Sequence, residues 1–432
     1  MRPYESSLGK QMDGASGRCP APFTNITPKA MSHKNIILYD TPSVRENLLP
    51  LSYTRPVADF LVGITTIRAK WERFLPGDYS YMTVDYLREK YPLRETSEGN
   101  ILVASNVIPN RELAARVAEL KPGEALVGEN RKGARFTIAA AGEPDEAKLM
   151  LDAIPESAEV WPGRVECLQN LYDIFLLNGQ QIEEDFAELT RGREGQSIPR
   201  SNTVIGLYDD IFIESGAIVE GVVLNASHGP IYIGRDVEIM EGSCLRGPIA
   251  LGEHSTVNMS TRIYPGTSLG PWCKVGGELN NVVMFGYSNK AHDGFLGNAV
   301  IGEWCNLGAG CTASNLKNDY TEIKLWNYPA HRFLRTGLQF CGLIMADHSK
   351  AGINTMFNTA TVVGVGVNIH GSGFPRNFVA SFSEGGASGF TDLPMEKFFD
   401  TASRMMARRG KALTEADARI FHNIRAQAEN YK

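Results

Sequence analysis

Between Ile233 and Val275 an aliphatic residue returns at every sixth position: Ile233, Ile239, Leu245, Leu251, Val257, Ile263, Leu269 and Val275. The register resumes at Ile301 and Leu307, and more loosely at Ile353, Thr359 and Val365. Glycine often follows the aliphatic position, as in Ile233-Gly234, Leu251-Gly252 and Leu269-Gly270. This period is neither the alternation of a strand nor the turn of a helix. It fits a triangular coil in which six residues form one flat side and the aliphatic residue points into the prism. Stacked coils then share one continuous core. The pattern predicts a left-handed parallel β-helix of the hexapeptide-repeat kind over about 200–385.

Upstream the pattern is different. Ile36-Ile37-Leu38-Tyr39 and Ile101-Leu102-Val103 read as buried strands. Ile64, Ile67, Trp71, Phe74 and Leu75 keep helical spacing, as do Leu113, Val117 and Leu120. Leu168, Leu171, Phe175, Ile182 and Phe186 predict a long helix, or a helix pair broken near Asn178-Gly179. Alternating strands and helices predict an α/β, Rossmann-like layer with a partly parallel sheet over 31–195. The polar stretch GREGQSIPRSN (192–202) reads as a linker. Past 386 the chain turns helical, with an apolar stripe at Met395, Phe398, Phe399, Ala402, Met405 and Met406. Thr414-Glu-Ala-Asp417 resembles a capping box that opens a second helix. This tail reads as a cap packed on the β-helix. Residues 1–30 carry no apolar run, and Met31 reads as a true domain start. They are expected to be a disordered extension or a mis-assigned start.

Composition narrows the function classes. The chain has 432 residues, 43% of them hydrophobic, and a net charge of −6. With no basic excess, bulk nucleic-acid binding is excluded, while a small anionic substrate is not. No stretch reaches the ~18 apolar residues of a membrane span. The seven cysteines are dispersed and form no CxxC pair, which predicts reduced thiols in a cytoplasmic protein. The eight histidines lack the close spacing of a three-histidine zinc site. The Gly-x-Gly in GVGVNIHGSG (364–373) lies in hexad register with no helix after it, so it is not a dinucleotide loop.

The hexads break twice, at NNVVMFGYSNKAHDGFLG (280–297) and from Ser314 to about Gly342. Breaks in a solenoid are expected to become edge loops that carry binding residues. These two hold Asn289, Lys290, His292, Asp293, Asn315, Lys317, His331, Arg332 and Arg335, with Asn306 between them. The stretch KAHDGFLGNAVIGEWCNLGAGCTASN (290–315) resembles the acetyltransferase half of the bifunctional GlmU enzymes. Those enzymes join glucosamine-1-phosphate N-acetyltransfer to uridylyl transfer. The whole chain from Met31 resembles a bacterial GlmU-like family. The resemblance is carried by LLPLSYTRPVADFLVGITTIRAKWE (48–72), GLIMADHSKAGINTMFNTATVVGVGVNI (342–369) and GFPRNFVASFSEGG (373–386).

The resemblance implies roles residue by residue. His292 falls at the position of the general base, which must take a proton from a sugar ammonium before the amine can attack acetyl-CoA. A carboxylate or carbonyl that orients the imidazole is expected nearby. Asn306 and Asn315 match positions near the acceptor and the reaction centre. Asn289, Lys290, Lys317 and Arg335 are candidates for the acceptor and for sugar or CoA phosphates. His348, in ADHSKAGINT, is the rival base. Tyr264 stands where GlmU enzymes carry an arginine, and Phe295 where they carry a tyrosine, so the acceptor sugar is left open. Such β-helices commonly trimerise with active sites between prisms, so a homotrimer is expected.

The N-terminal domain departs further from the family. The expected Gly-rich phosphate loop is replaced by YDTPSVRENLLPLSYTRP (39–56), and the position of the Mg²⁺-binding aspartate falls near Ser105-Asn106. Asp40, Arg45, Arg55 and Lys70 are the candidates for UTP. A domain that only senses a nucleotide sugar, or a scaffold, is the alternative these departures leave open.

Overall fold

The computed structural model describes residues 34–96 and 99–432. The leader over 1–30, with Cys19, lies outside the described residues. The α/β layer is built on a six-stranded sheet. Its strands are β1 (Asn35–Tyr39), β2 (Asp78–Met82), β3 (Asn100–Ala104), β4 (Ala125–Glu129), β5 (Arg135–Ala141) and β6 (Glu159–Arg164). Their order is β2-β1-β3-β5-β4-β6. β1 runs parallel to β2 and β3, whereas β5 is antiparallel to both its neighbours, so the sheet is partly parallel as expected. The helices of this layer are α1 (Pro42–Asn47), α2 (Ile67–Phe74), α3 (Arg111–Ala118), α4 (Pro144–Asp152) and α5 (Asp173–Thr190).

From Thr203 the chain winds into a three-sided parallel β-helix. The eight hexad residues from Ile233 to Val275 are all buried to 2% exposure or less. Their ladders define three faces. On face A, Leu251 pairs with Leu269, Leu269 with Met284, Met284 with Ile301, and Ile301 with Met345. On face B, Ile239, Val257, Val275 and Lys290 stack in register. On face C, Leu245, Ile263, Leu279 and Leu296 do the same.

The first hexad break is not an edge loop. Leu269 pairs with Met284, so that coil is tightened to fifteen residues. Strands Glu278–Gly286 and Phe295–Glu303 each run nine residues across a corner of the prism. The second break is a true excursion, because Ile301 pairs with Met345 in the next coil. It carries an antiparallel hairpin, Lys324–Asn327 against Arg332–Arg335. That hairpin braces the two halves of the molecule. Tyr328 packs edge-on to Tyr53, and Asn327 donates to Asn47 Oδ1 at 3.1 Å.

Face A is apolar on both sides. Met284, Ile301, Met345 and Val363 point into the prism. Their neighbours Val283, Phe285, Val300, Ile344 and Val362 share one cluster with the α/β core. α5 lies on this face and is unbroken at Asn178-Gly179. Asn178 Nδ2 donates to Gly266 O (2.7 Å) and Ser268 Oγ (2.9 Å), and its Oδ1 accepts from Gly63 N (2.7 Å). Gly179 faces Gly266 and Pro248, where a Cβ would sit at an ordinary contact distance of 3.8 Å. The residues that look like a helix breaker are a contact point. The chain closes with α6 (Met395–Ala407) and α7 (Glu415–Ala428), and Thr414 and Asp417 form the capping box. Among the described residues, no helix is long and apolar enough to cross a membrane.

Asn178→Ala would leave the Gly63 amide and the Gly266 carbonyl buried without partners. It is expected to cost about 3 kcal/mol, read as a lowered midpoint in urea unfolding.

Candidate active site

His292 occupies the corner between faces B and C, in the turn between Asn289–Lys290 and Phe295–Glu303. The turn closes because Gly294 has φ +125°; a Cβ there would lie 2.0 Å from Cys311 O. The imidazole is exposed. It opens on a cleft of about 660 Å³ along face B. The floor is the outward ladder of that face, Lys274, Asn289, Asn306 and Lys350, in register. Asn289 Oδ1 is buried and has no hydrogen-bond partner. Tyr287 and Trp304 form an aromatic wall, stacked at 4.3 Å. Both sit at left-handed corners, with φ 53° and 60°.

The opposite wall comes from the C-terminal tail. Arg404, Met405, Arg408 and Arg409 of α6 and the turn after it line the same cleft. Arg404 pairs with Asp400, and Arg409 lies over the Trp272 ring at 5.6 Å. The tail was expected only to cap the prism. Its apolar stripe does that through Phe398, Ala402 and Met406. Its basic face was legible as Arg404, Arg408 and Arg409, yet nothing in the sequence said where that face would land.

The structure therefore brings His292, Asn289 and Asn306 together. It does not bring the other predicted residues to the cleft. Lys290 points into the prism and is 1% exposed. Its ammonium donates to Gly276 O (2.9 Å) and His292 O (2.6 Å), and burial pulls its pKa down to about 8. Asn315 donates to Asn298 Oδ1 at 2.8 Å and lies with Phe295 over Gly297 on face C. Tyr264 is exposed on the same face. Lys317 is tied to Glu322 O (2.9 Å) and Arg335 to the Glu322 carboxylate (3.0 Å), both in the excursion. Among the described residues, no carboxylate or carbonyl bonds the His292 ring, so the expected orienting partner is missing.

His348 lies outside this cleft. It is 5% exposed, and Trp304, Phe398 and Phe421 surround it. Its Nδ1 has no partner. Burial holds its pKa well below the usual value, with Lys350, Lys90 and Arg55 adding to the effect. His348 instead lines a separate cleft of about 270 Å³ with Arg55, Lys90 and Asp347, and does not line the His292 cleft.

The four nucleotide candidates are committed elsewhere. Asp40 accepts from Val57 N (3.0 Å), Ser105 Oγ (2.6 Å) and Thr83 Oγ1 (2.6 Å), and burial raises its pKa. Arg45 is buried and donates to Ser52 O (3.0 Å) and Tyr86 Oη. Arg55 pairs with Asp347 and Glu303 across the seam between the two halves. Lys70 is buried against Asp185, which also holds Arg73. Asp40 and Arg45 share a cleft of about 430 Å³ at the ends of β1 and β2; Arg55 and Lys70 do not line it. Mg²⁺ does not fit this donor set. Both oxygens of Asp40 are occupied, and Asn106 donates to Leu168 O at 2.8 Å. Among the described residues, no group of three or more His, Cys, Asp or Glu could hold a metal ion.

Residues 36–194 match the sugar nucleotidyl transferase family model. An α/β nucleotidyltransferase domain followed by a hexapeptide-type β-helix defines the class. Curated relatives carry it further. The bifunctional protein GlmU of Gloeobacter violaceus is 33% identical over 85 residues, 19% of this chain and 18% of that protein. The GlmU of Bordetella parapertussis is 31% identical over 116 residues, 24% of this chain and 25% of its own. A bifunctional sugar-1-phosphate nucleotidylyltransferase/acetyltransferase of Sulfurisphaera tokodaii is 30% identical over 145 residues, 33% and 35% of the two chains. The chain is GlmU-like. The match spans between about a fifth and a third of the length of these relatives. Among solved structures, a hexapeptide transferase family protein from Anaplasma phagocytophilum is 16% identical, covering 53% of this chain and 88% of that one, with a TM-score of 0.15.

His348 also yields a pH prediction. The unfolded imidazole protonates near 6.5, while the folded one resists, so the unfolded state binds more protons below that pH. Stability is lost as pH falls through 6.5. Replacing His348 with Phe keeps the aromatic packing, and Phe382 already adopts the same left-handed backbone. This variant is expected to lose less stability than wild type between about pH 6.5 and 5, read by thermal unfolding across that range.

Proposed function

We propose that the cleft carries N-acetyl transfer from acetyl-CoA to an amino-sugar phosphate, glucosamine-1-phosphate or a close relative. One observation carries the reading. The exposed imidazole of His292 opens on the same cleft as three asparagines, Asn258, Asn289 and Asn306, and five basic residues: Lys274, Lys350, Arg404, Arg408 and Arg409. Lys274 and the three arginines suit the phosphates of CoA and of the acceptor, whereas the Lys350 ammonium donates to His348 O at 2.8 Å. Asn289 Oδ1, buried without a partner, is free to accept from an amine or hydroxyl of the sugar. His292 takes a proton from the sugar ammonium. The freed amine attacks the thioester carbonyl, and the C–S bond breaks as the imidazolium gives its proton to the departing thiolate; the neutral imidazole then takes the second proton from the nitrogen and releases it to solvent. Asn306 is placed to donate to the oxyanion. A homotrimer belongs to this reading. His292 stands at a prism corner, and a neighbouring prism there would join the face-B cleft to Tyr264, Phe295 and Asn315 on face C.

The test is CoA thiol release with glucosamine-1-phosphate, wild type beside His292→Ala. The alanine variant is expected to lose about 10²-fold or more in kcat while keeping its fold. Turnover that survives in the variant would remove His292 as the base. No turnover in wild type would remove this acceptor, and a panel of amino-sugar phosphates would then decide between another acceptor and a binding protein.

The commitments of Asp40, Arg45, Arg55 and Lys70 favour a second reading for the α/β domain. It binds a nucleotide sugar without turning it over, and transmits occupancy through the shared face-A core. Calorimetry with UDP-N-acetylglucosamine is expected to show binding independent of Mg²⁺, with no pyrophosphate released from UTP and sugar phosphate. Mg²⁺-dependent pyrophosphate release would restore nucleotidyl transfer.

A further inference from the structure

We infer that Lys290 is a positioning residue that holds the His292 turn from inside the prism, supplying the orientation that no carboxylate gives the imidazole. The inference rests on the acyl-transfer reading of His292.

Lys290 stands in an aliphatic column. It pairs with Val275 below, and Asn289 beside it pairs with Asn306, which precedes Leu307 in the coil above. Every hexad residue on this face from Ile239 to Val275 is aliphatic. A lysine at such a position costs stability, because its ammonium leaves water for an apolar interior. Val, Leu or Met would fill the space without that cost. The ammonium is not neutralised by a partner carboxylate. It bonds two backbone carbonyls, Gly276 O on the coil below and His292 O in the turn itself. The first fixes the ammonium to a rigid coil, and the second ties the base's own peptide to that anchor. A fold that accepts a buried cation to pin one peptide is spending stability on geometry, as functional sites do.

The expected pH behaviour follows. Around Lys290, Cys311 and Asp293 favour its charge, and Arg262 opposes it, but burial dominates and the pKa falls to about 8. Between pH 8 and the ordinary lysine value of 10.5 the unfolded state binds more protons. Stability contributed through Lys290 therefore rises with pH across that window.

Lys290→Met tests the inference, since Met matches the column in size and apolar character. The variant is expected to fold with an equal or higher Tm at pH 7, and to lack the gain in stability between pH 8 and 10.5 relative to wild type. Its kcat is expected to fall about tenfold or more, with KM for acetyl-CoA unchanged. In a His292→Ala background the same substitution should change the residual rate little, because the lysine acts through the histidine. The His292 ring resonances, followed by NMR titration, should shift or broaden in Lys290→Met. Unchanged His292 resonances with full kcat, or an equal loss in the His292→Ala background, would overturn the inference. Where wild type releases no CoA, the acyl-transfer reading fails by itself, and the His292 resonances alone decide whether the lysine holds the turn.

Discussion

Coil-on-coil stacking is the constraint on which the rest of this molecule depends. Each coil is hydrogen-bonded to the next in parallel, so a residue's position in its hexad assigns it to a column. Inward columns must be apolar and of matching size, because the prism interior has no room for water or for a misfit. Outward columns that no other layer covers are free of packing constraint and become rows of repeated side chains. Lys274, Asn289, Asn306 and Lys350 form such a row. The cleft floor is thus a direct consequence of register: a one-residue slip would bury the row and expose the core.

The second constraint is the seam along face A. Its strands are buried on both sides, inward against the prism and outward against the α/β layer. Parallel sheets of this kind read as continuous apolar runs rather than alternating ones. The runs were present in the sequence as Val282-Val283-Met284-Phe285, Ala299-Val300-Ile301 and Leu343-Ile344-Met345. Val282 and Met284, Ala299 and Ile301, and Leu343 and Met345 fill the prism, while the intervening Val283, Val300 and Ile344, with Phe285, mark the face that another layer covers. Arg55 reaching Asp347 and Asn178 reaching Ser268 add polar register to that seam. The two halves consequently share a core.

Of the candidate residues, those in the hexad ladder were the readable ones. Asn289 and Asn306 pair one coil apart on the same face, but at a spacing of seventeen rather than eighteen, so the resemblance marked them and the tightened coil, not the period, brought them together. Lys290 was misplaced because two adjacent ladder residues point opposite ways; the tightened coil puts Asn289 outward and Lys290 inward. Lys317 and Arg335 lie in an excursion whose path the repeat does not govern, and it folds back as a brace. Arg45, Arg55 and Lys70 are basic residues near a familiar phrase. Arg45 is taken up by Ser52 seven residues on, and Arg55 and Lys70 by Asp347 and Asp185 from distant segments that no local pattern announces.

The strict hexads from Ile233 to Val275 determined the β-helix and that part of its core, because a hexad repeat has few ways to bury its aliphatic positions; the looser register at Ile353, Thr359 and Val365 is two residues out, since Ala351, Phe357 and Val363 point inward and Ile353 is exposed. The alternation of strands and helices determined the α/β layer, and Thr414 with Asp417 determined where the last helix begins. Tertiary structure alone decided which groups share water-accessible space. It brought the arginines of α6 and the turn after it over a cleft more than a hundred residues upstream. It put His348 in a separate cleft with Trp304 and Phe421, and left His292 open to solvent with its peptide held from within. Local sequence sets which way a side chain points from its own strand or helix; what that side chain meets is set by packing between distant segments.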